Sequence, residues 1–209
     1  MDSRRSLHVL QQEGFMVDRF AREFLKFEVS ETSDTRGYWL DQPWIESGQR
    51  PGLIKASILA LPLTDGDEKP VFPIGTGDFV ERFRNALGTE ATLAVAIRND
   101  EYQELALHSK AWRIPTLLLT VGVLPVALNI FSNRLDELLP GHKSGDTAEL
   151  TLIVEGPNNK ALKLYYKGDS HQLGPMLNTA IPRFIEELNE PQAAPHQVHP
   201  RKRARHSAH

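Results

Sequence analysis

The chain has 209 residues, 40% hydrophobic and 24% charged, enough to bury one substantial core without staples and too ordinary in balance for global disorder. It has no cysteine, which excludes disulfides, thiolate catalysis, iron–sulfur clusters and cysteine-based zinc sites. The formal net charge of −3 divides unevenly: residues 191–209 carry Arg201, Lys202, Arg203 and Arg205 without an acid, so this tail is +4 and residues 1–190 are −7.

Near the N-terminus, Gln11, Gln12 and Glu13 stand where a secretory signal needs an apolar stretch, so no signal peptide is expected. Leu10, Val17, Phe20, Phe24 and Phe27 recur at helical spacing with Arg19, Arg22, Glu23 and Lys26 between them. This predicts an N-terminal amphipathic helix within residues 1–29, one face on the core. Residues 30–52 are polar, with Tyr38, Trp39, Pro43 and Trp44, and read as a long loop whose aromatics are either anchors or a binding lip.

Residues 53–190 carry alternating signals. Residues 53–61 form an apolar run of strand length, and Gly75-Thr76-Gly77-Asp78 opens a helix with Phe79, Val80, Phe83 and Leu87 on one side, closed by Gly88. Leu93, Val95 and Ile97 alternate as a strand, and residues 101–109 read as one or two helical turns. Residues 114–132 contain no charge, close to the length of a membrane span, but Pro115, Gly122 and Pro125 interrupt them. The pattern is a buried strand, a turn from Gly122 to Pro125, and a proline-led amphipathic helix through Leu128, Phe131, Leu135 and Leu138.

Leu150, Leu152 and Val154, then Leu162, Leu164 and Tyr166, alternate on either side of a Gly156-Pro157-Asn158-Asn159 turn and predict a hairpin with one wet face. Glu149 and Glu155 are expected to complement Lys163 and Lys167 across it. A last helix runs through Leu173, Leu177, Ile181 and Leu188, and residues 191–209 read as a disordered basic tail. The expected fold class is α/β, a single domain with a parallel or mixed sheet in the order βαβαβα then ββα, without a transmembrane span.

Four sites follow from the residues. Gly75, Thr76 and Gly77 offer backbone N–H groups to an anion at a helix start, although Thr76 or Asp78 as a simple cap explains the same letters. Gly122 to Pro125 sits where a strand becomes a helix, and Gly168 leads into the last helix, so a ligand pocket at the strand ends would join the three segments. The passage Val121-Gly122-Val123-Leu124-Pro125 is similar to one in the Rossmann-like cyclic-oligonucleotide sensor domains of bacterial antiviral systems, over residues 114–139 only. The resemblance implies a nucleotide pocket, and a plain strand-to-helix turn accounts for the same residues.

A hydrolytic set would draw on Ser109 or Ser170 with His108 or His171 and Asp169, but no GxSxG elbow presents either serine, and Asp169 or Ser170 serves more simply as a helix cap. Arg201, Lys202, Arg203 and Arg205 suit a polyanion, nucleic acid included, by electrostatic adhesion without sequence readout. The histidines of the tail, His196, His199, His206 and His209, form no helix-spaced ligand pair, so no metal and no cofactor is expected. The composite reading is a cytoplasmic, non-enzymatic accessory protein with a protein partner, or nuclear in a eukaryote, where the basic tail would serve as an import signal. The alternatives are a small-ligand sensor and a hydrolase.

Overall fold

The computed structural model describes residues 25–64, 69–106, 111–143, 145–157 and 160–189. Strand β1 (Lys26–Thr32) is followed by helices α1 (Arg36–Leu40) and α2 (Arg50–Lys55), strands β2 (Ile58–Leu61) and β3 (Phe72–Pro73), and helix α3 (Thr76–Leu87). Strands β4 (Leu93–Val95), β5 (Glu104–Leu105), β6 (Trp112–Arg113) and β7 (Thr116–Thr120) lead to helices α4 (Leu124–Asn133) and α5 (Leu135–Leu138). The hairpin of β8 (Thr147–Glu155) and β9 (Ala161–Asp169) then runs into α6 (Ser170–Asn189).

The main sheet has the order β1-β9-β8-β7-β2-β4, with β6 added to β8, while β3 and β5 form a small parallel pair of their own. It is mixed, as expected: β2 runs parallel to β4, β7 runs parallel to β8, and β2 meets β7 antiparallel. The helix α3 carries the chain from the end of β2 back to the start of β4, and α4 with α5 does the same from β7 to β8. Successive strand residues point to opposite faces, so Ile58, Ala60, Leu117, Leu119, Leu152 and Leu164 pack under α3 to α6, whereas Leu59, Leu61, Leu118 and Ile153 face Trp39, Ile45 and Leu53. The sheet is thereby sandwiched over its centre.

The uncharged run of residues 114–132 divides between β7 and α4, with Val123 N–H donating to Thr120 O at 3.1 Å in the turn between them. Leu117, Leu118 and Leu119 are fully buried, and among the described residues no helix is long and apolar enough to cross a membrane.

Several expectations are corrected. Lys26 to Val29, the end of the expected N-terminal helix, are strand: Phe27 and Val29 turn inward and Lys26 and Glu28 outward, and pairing with β9 outweighs the helical spacing read through Phe27. Residues 1–24 lie outside the described residues. Residues 30–52 contain the end of β1, α1 and the start of α2 rather than a long loop, and their Trp39 is 8% exposed while Tyr38 is 49% exposed, so Trp39 anchors and Tyr38 flanks it edge-on. Residues 53–55 complete α2, and Glu104–Leu105 form a strand where helical turns were expected. The hairpin charges also pair differently: Lys167 reaches Glu149 at 3.9 Å, but Glu155 is taken by Arg36 at 3.4 Å and Lys163 lies 3.9 Å from Asp34.

Candidate functional site

The strands β2 and β4 are parallel and neighbours, and α3 starts at their carboxyl ends, the rim where an open α/β sheet offers a binding crevice. Gly75 precedes α3 with φ 84°, a left-handed conformation that glycine adopts without steric cost, and no side chain caps the helix from within. The N–H groups of Gly75 and Gly77 both donate to the Glu104 carboxylate, each at 2.8 Å, and Tyr102 Oη donates to the same group at 2.6 Å. The anion cradle therefore exists, and its anion is the chain's own side chain, delivered by β5. The cap expected from Thr76 or Asp78 is replaced by Glu104: the Thr76 hydroxyl is buried and donates back to Pro73 O at 2.7 Å.

The electrostatics follow from this arrangement. Burial raises the Glu104 pKa, but the bonds from Tyr102 and the two N–H groups outweigh it and hold the carboxyl below its ordinary range. Burial, then the adjacent Glu104 carboxylate, pushes the Tyr102 phenol well above its ordinary value, so it stays a donor. Its ring stacks on Phe72 with centroids 5.1 Å apart, which fixes the hydroxyl over the cradle.

Beside this cradle lies an open cleft of about 380 Å³. Gly77, Val80 and Arg84 of α3 line it together with Leu93, Ala94 and Val95 of β4 and with Gln49, Asn99 and Tyr102. Among the described residues the strand β4 is the edge of the sheet. Ile58 N–H donates to Thr92 O at 2.9 Å and Ala96 N–H to Ala60 O at 2.9 Å, so the even-numbered residues bond to β2 and the main-chain groups of Leu93 and Val95 point away from it. Arg84 Nε donates to Leu93 O at 3.1 Å, and the Oε1 of Gln49 is buried without a partner.

The remaining candidates do not join this site. In the sheet register Gly168 opposes Ala148, while the turn holding Gly122 follows Thr120, which opposes Glu155, seven residues further along the same strand β8. At about 3.3 Å per residue the two glycines lie at opposite rims, so the expected pocket joining them does not form. Gly75 and Gly168 share a rim, but three strand positions, about 14 Å, separate β9 from β2. A Cβ at Gly168 would stand 2.7 Å from Leu25 Cδ1 and 2.9 Å from Tyr166 Oη, so that glycine answers a packing need. Pro125 occupies the first turn of α4, as its fixed φ favours.

Ser170 Oγ is fully buried with no hydrogen-bond partner, and Asp169 Oδ1 accepts from His171 N–H at 2.9 Å, a helix cap. The His171 ring lies against that of His142, centroids 5.2 Å apart. His142 Nδ1–H donates to Leu139 O at 2.8 Å, and its Nε2, on a side chain 2% exposed, faces Asp136 Oδ1 at 3.2 Å outside hydrogen-bond geometry. No serine hydroxyl is hydrogen-bonded to a histidine among the described residues, and no three of their His, Cys, Asp or Glu side chains are grouped to hold a metal. His108, Ser109, Arg201, Lys202, Arg203 and Arg205 lie outside the described residues.

Sequence reasoning missed Glu104, Tyr102 and Arg84. No local signal marks them, because Glu104 reaches the start of α3 only through the pairing of β5 with β3. Compared with family models, with curated proteins and with solved structures, the chain matches none.

Proposed function

We propose that the chain is a non-enzymatic interaction protein, an accessory subunit that engages a protein partner at the cleft beside β4, while the basic tail at Arg201, Lys202, Arg203 and Arg205 adheres to an anionic partner. The observation that carries this reading is the open sheet edge, whose outward main-chain groups at Leu93 and Val95 line a cleft of about 380 Å³. An edge of this kind is a pairing template unless something covers it. Among the described residues that line it, the crevice holds no nucleophile, base and oxyanion donor in register, which is what an acyl-transfer reading requires.

The nucleotide-sensor reading draws on the same rim, and the Glu104 carboxylate weighs against it, because a phosphate entering the Gly75 and Gly77 cradle would meet a negative charge already bonded there. A thermal-shift panel of nucleotides separates the two, since a ligand that binds only the folded state raises the melting temperature. No shift is expected; a clear rise with any nucleotide would favour the sensor. The interaction reading itself is tested by affinity capture with the full chain from its native cells, followed by reconstitution with the purified candidate. One stoichiometric partner is expected, and a chain that elutes alone at every salt concentration overturns the proposal.

A further inference from the structure

Resting on that interaction reading, we infer that the cleft beside β4 receives one extended peptide segment, which joins the sheet as a new edge strand and presents an acidic side chain to Arg84. The main-chain groups specify the first part. With Leu93 O taken by Arg84, the outward groups left on β4 are the N–H of Leu93 and both the N–H and the C=O of Val95. Two donors and an acceptor at alternate residues are what an extended backbone answers and a compact ligand does not.

Charge specifies the second part. Among the described residues Arg84 is the one charged residue lining the cleft, and it is in no ion pair there. Gly75 and Gly77 N–H are already satisfied by Glu104, so an incoming carboxylate finds its complement at Arg84. A second copy meeting this one edge to edge would set Arg84 against Arg84, whereas a segment carrying an acidic side chain complements it. The opposite edge among the described residues, β1, carries exposed Lys26, Glu28 and Glu31, charges that disfavour strand addition there.

The test selects short linear peptides from a displayed random library on the immobilised full chain. Selected peptides are expected to share an acidic residue with apolar residues two positions to either side, and to increase amide protection at Leu93 and Val95 in hydrogen exchange. Val95→Pro removes an outward N–H without touching the ladder to β2, and is expected to weaken binding about tenfold. Arg84→Glu, on an exposed side chain, is expected to turn the selection from acidic to basic peptides, and it decides the matter should the proline variant fail to fold. No selected peptide, protection that falls elsewhere, or binding indifferent to Arg84→Glu overturns the inference. A partner captured by the full chain while the peptide test fails would leave the interaction reading standing and remove strand addition alone.

Discussion

At Gly174 a single methyl group decides how α6 lies on α4, because a Cβ there would stand 2.9 Å from Ser132 Cα, a backbone atom that cannot rotate away. In an exposed helix Gly→Ala gains about 1 kcal/mol from backbone entropy. Here the clash reverses the sign, and Gly174→Ala is expected to lower stability by about 1–3 kcal/mol in urea unfolding. A stabilised variant would show that the two helices are free to part. Glu104 makes a different prediction. Its folded pKa lies below the unfolded value, so the folded state binds fewer protons, and the stabilisation is full above the unfolded carboxyl range and is lost as pH falls through the folded value. Glu104→Gln keeps an acceptor near the Gly75 and Gly77 N–H groups but not the charge, and should flatten that acid limb of the urea midpoint against pH. Parallel curves for the two proteins would show that the carboxylate contributes nothing to the helix start.

Among the elements, α2 depends on one side chain from outside it. Arg36 Nη1 donates to Leu53 O and Ala56 O, both at 2.7 Å, capping the carboxyl end of α2, while its Nε meets Glu155 at 3.4 Å with only 12% and 19% of the two side chains exposed. Arg36→Ala leaves two carbonyls unanswered and removes the guanidinium from a largely buried carboxylate, which keeps the bond to its Oε1 from the main-chain N–H of residue 36, and is expected to cost about 1–3 kcal/mol, with hydrogen exchange rising first across α1 and α2. A loss confined to a few tenths of that range would mean that the aromatic anchors hold this layer by themselves.

Elements with a strong local period were readable. The alternation of Leu150, Leu152 and Val154 against Leu162, Leu164 and Tyr166 appears as the β8/β9 hairpin, and the pattern after Pro125 appears as α4, broken from α5 at Arg134. What stayed hidden has no local signature. Nothing in Ile58 to Leu61 says that β7 will pair with it antiparallel, and nothing around Glu104 says that it will cap a helix 27 residues earlier. The two-residue strands β3 and β5 exist through that same long-range pairing. The segment around Phe27 carried two periods at once, and a distant strand decided between them.

For the whole molecule, the division into an acidic body and a basic end leads to an ionic-strength prediction. If the tail alone contacts nucleic acid, its four cations give log affinity against log salt a slope of about −3 to −4. Deleting residues 191–209 should abolish that binding and leave the unfolding midpoint of the body unchanged. An unaltered slope after deletion would place the contact on the body.

The outermost strand at one side of the sheet, β1, is among the first described parts of the chain, yet all seven of its residues pair with β9, from Lys26 with Lys167 to Thr32 with Ala161. On a translating ribosome at 5–20 residues per second, Phe27 and Val29 emerge on the order of 10 s before their mates exist. For that interval the nascent polypeptide carries an unmated strand whose Phe27 and Val29 lack the core that later covers them, with only its charges to keep it from wrong pairing. Slowing synthesis between these two segments would therefore be expected to lower the yield of folded protein in cells without altering the finished product.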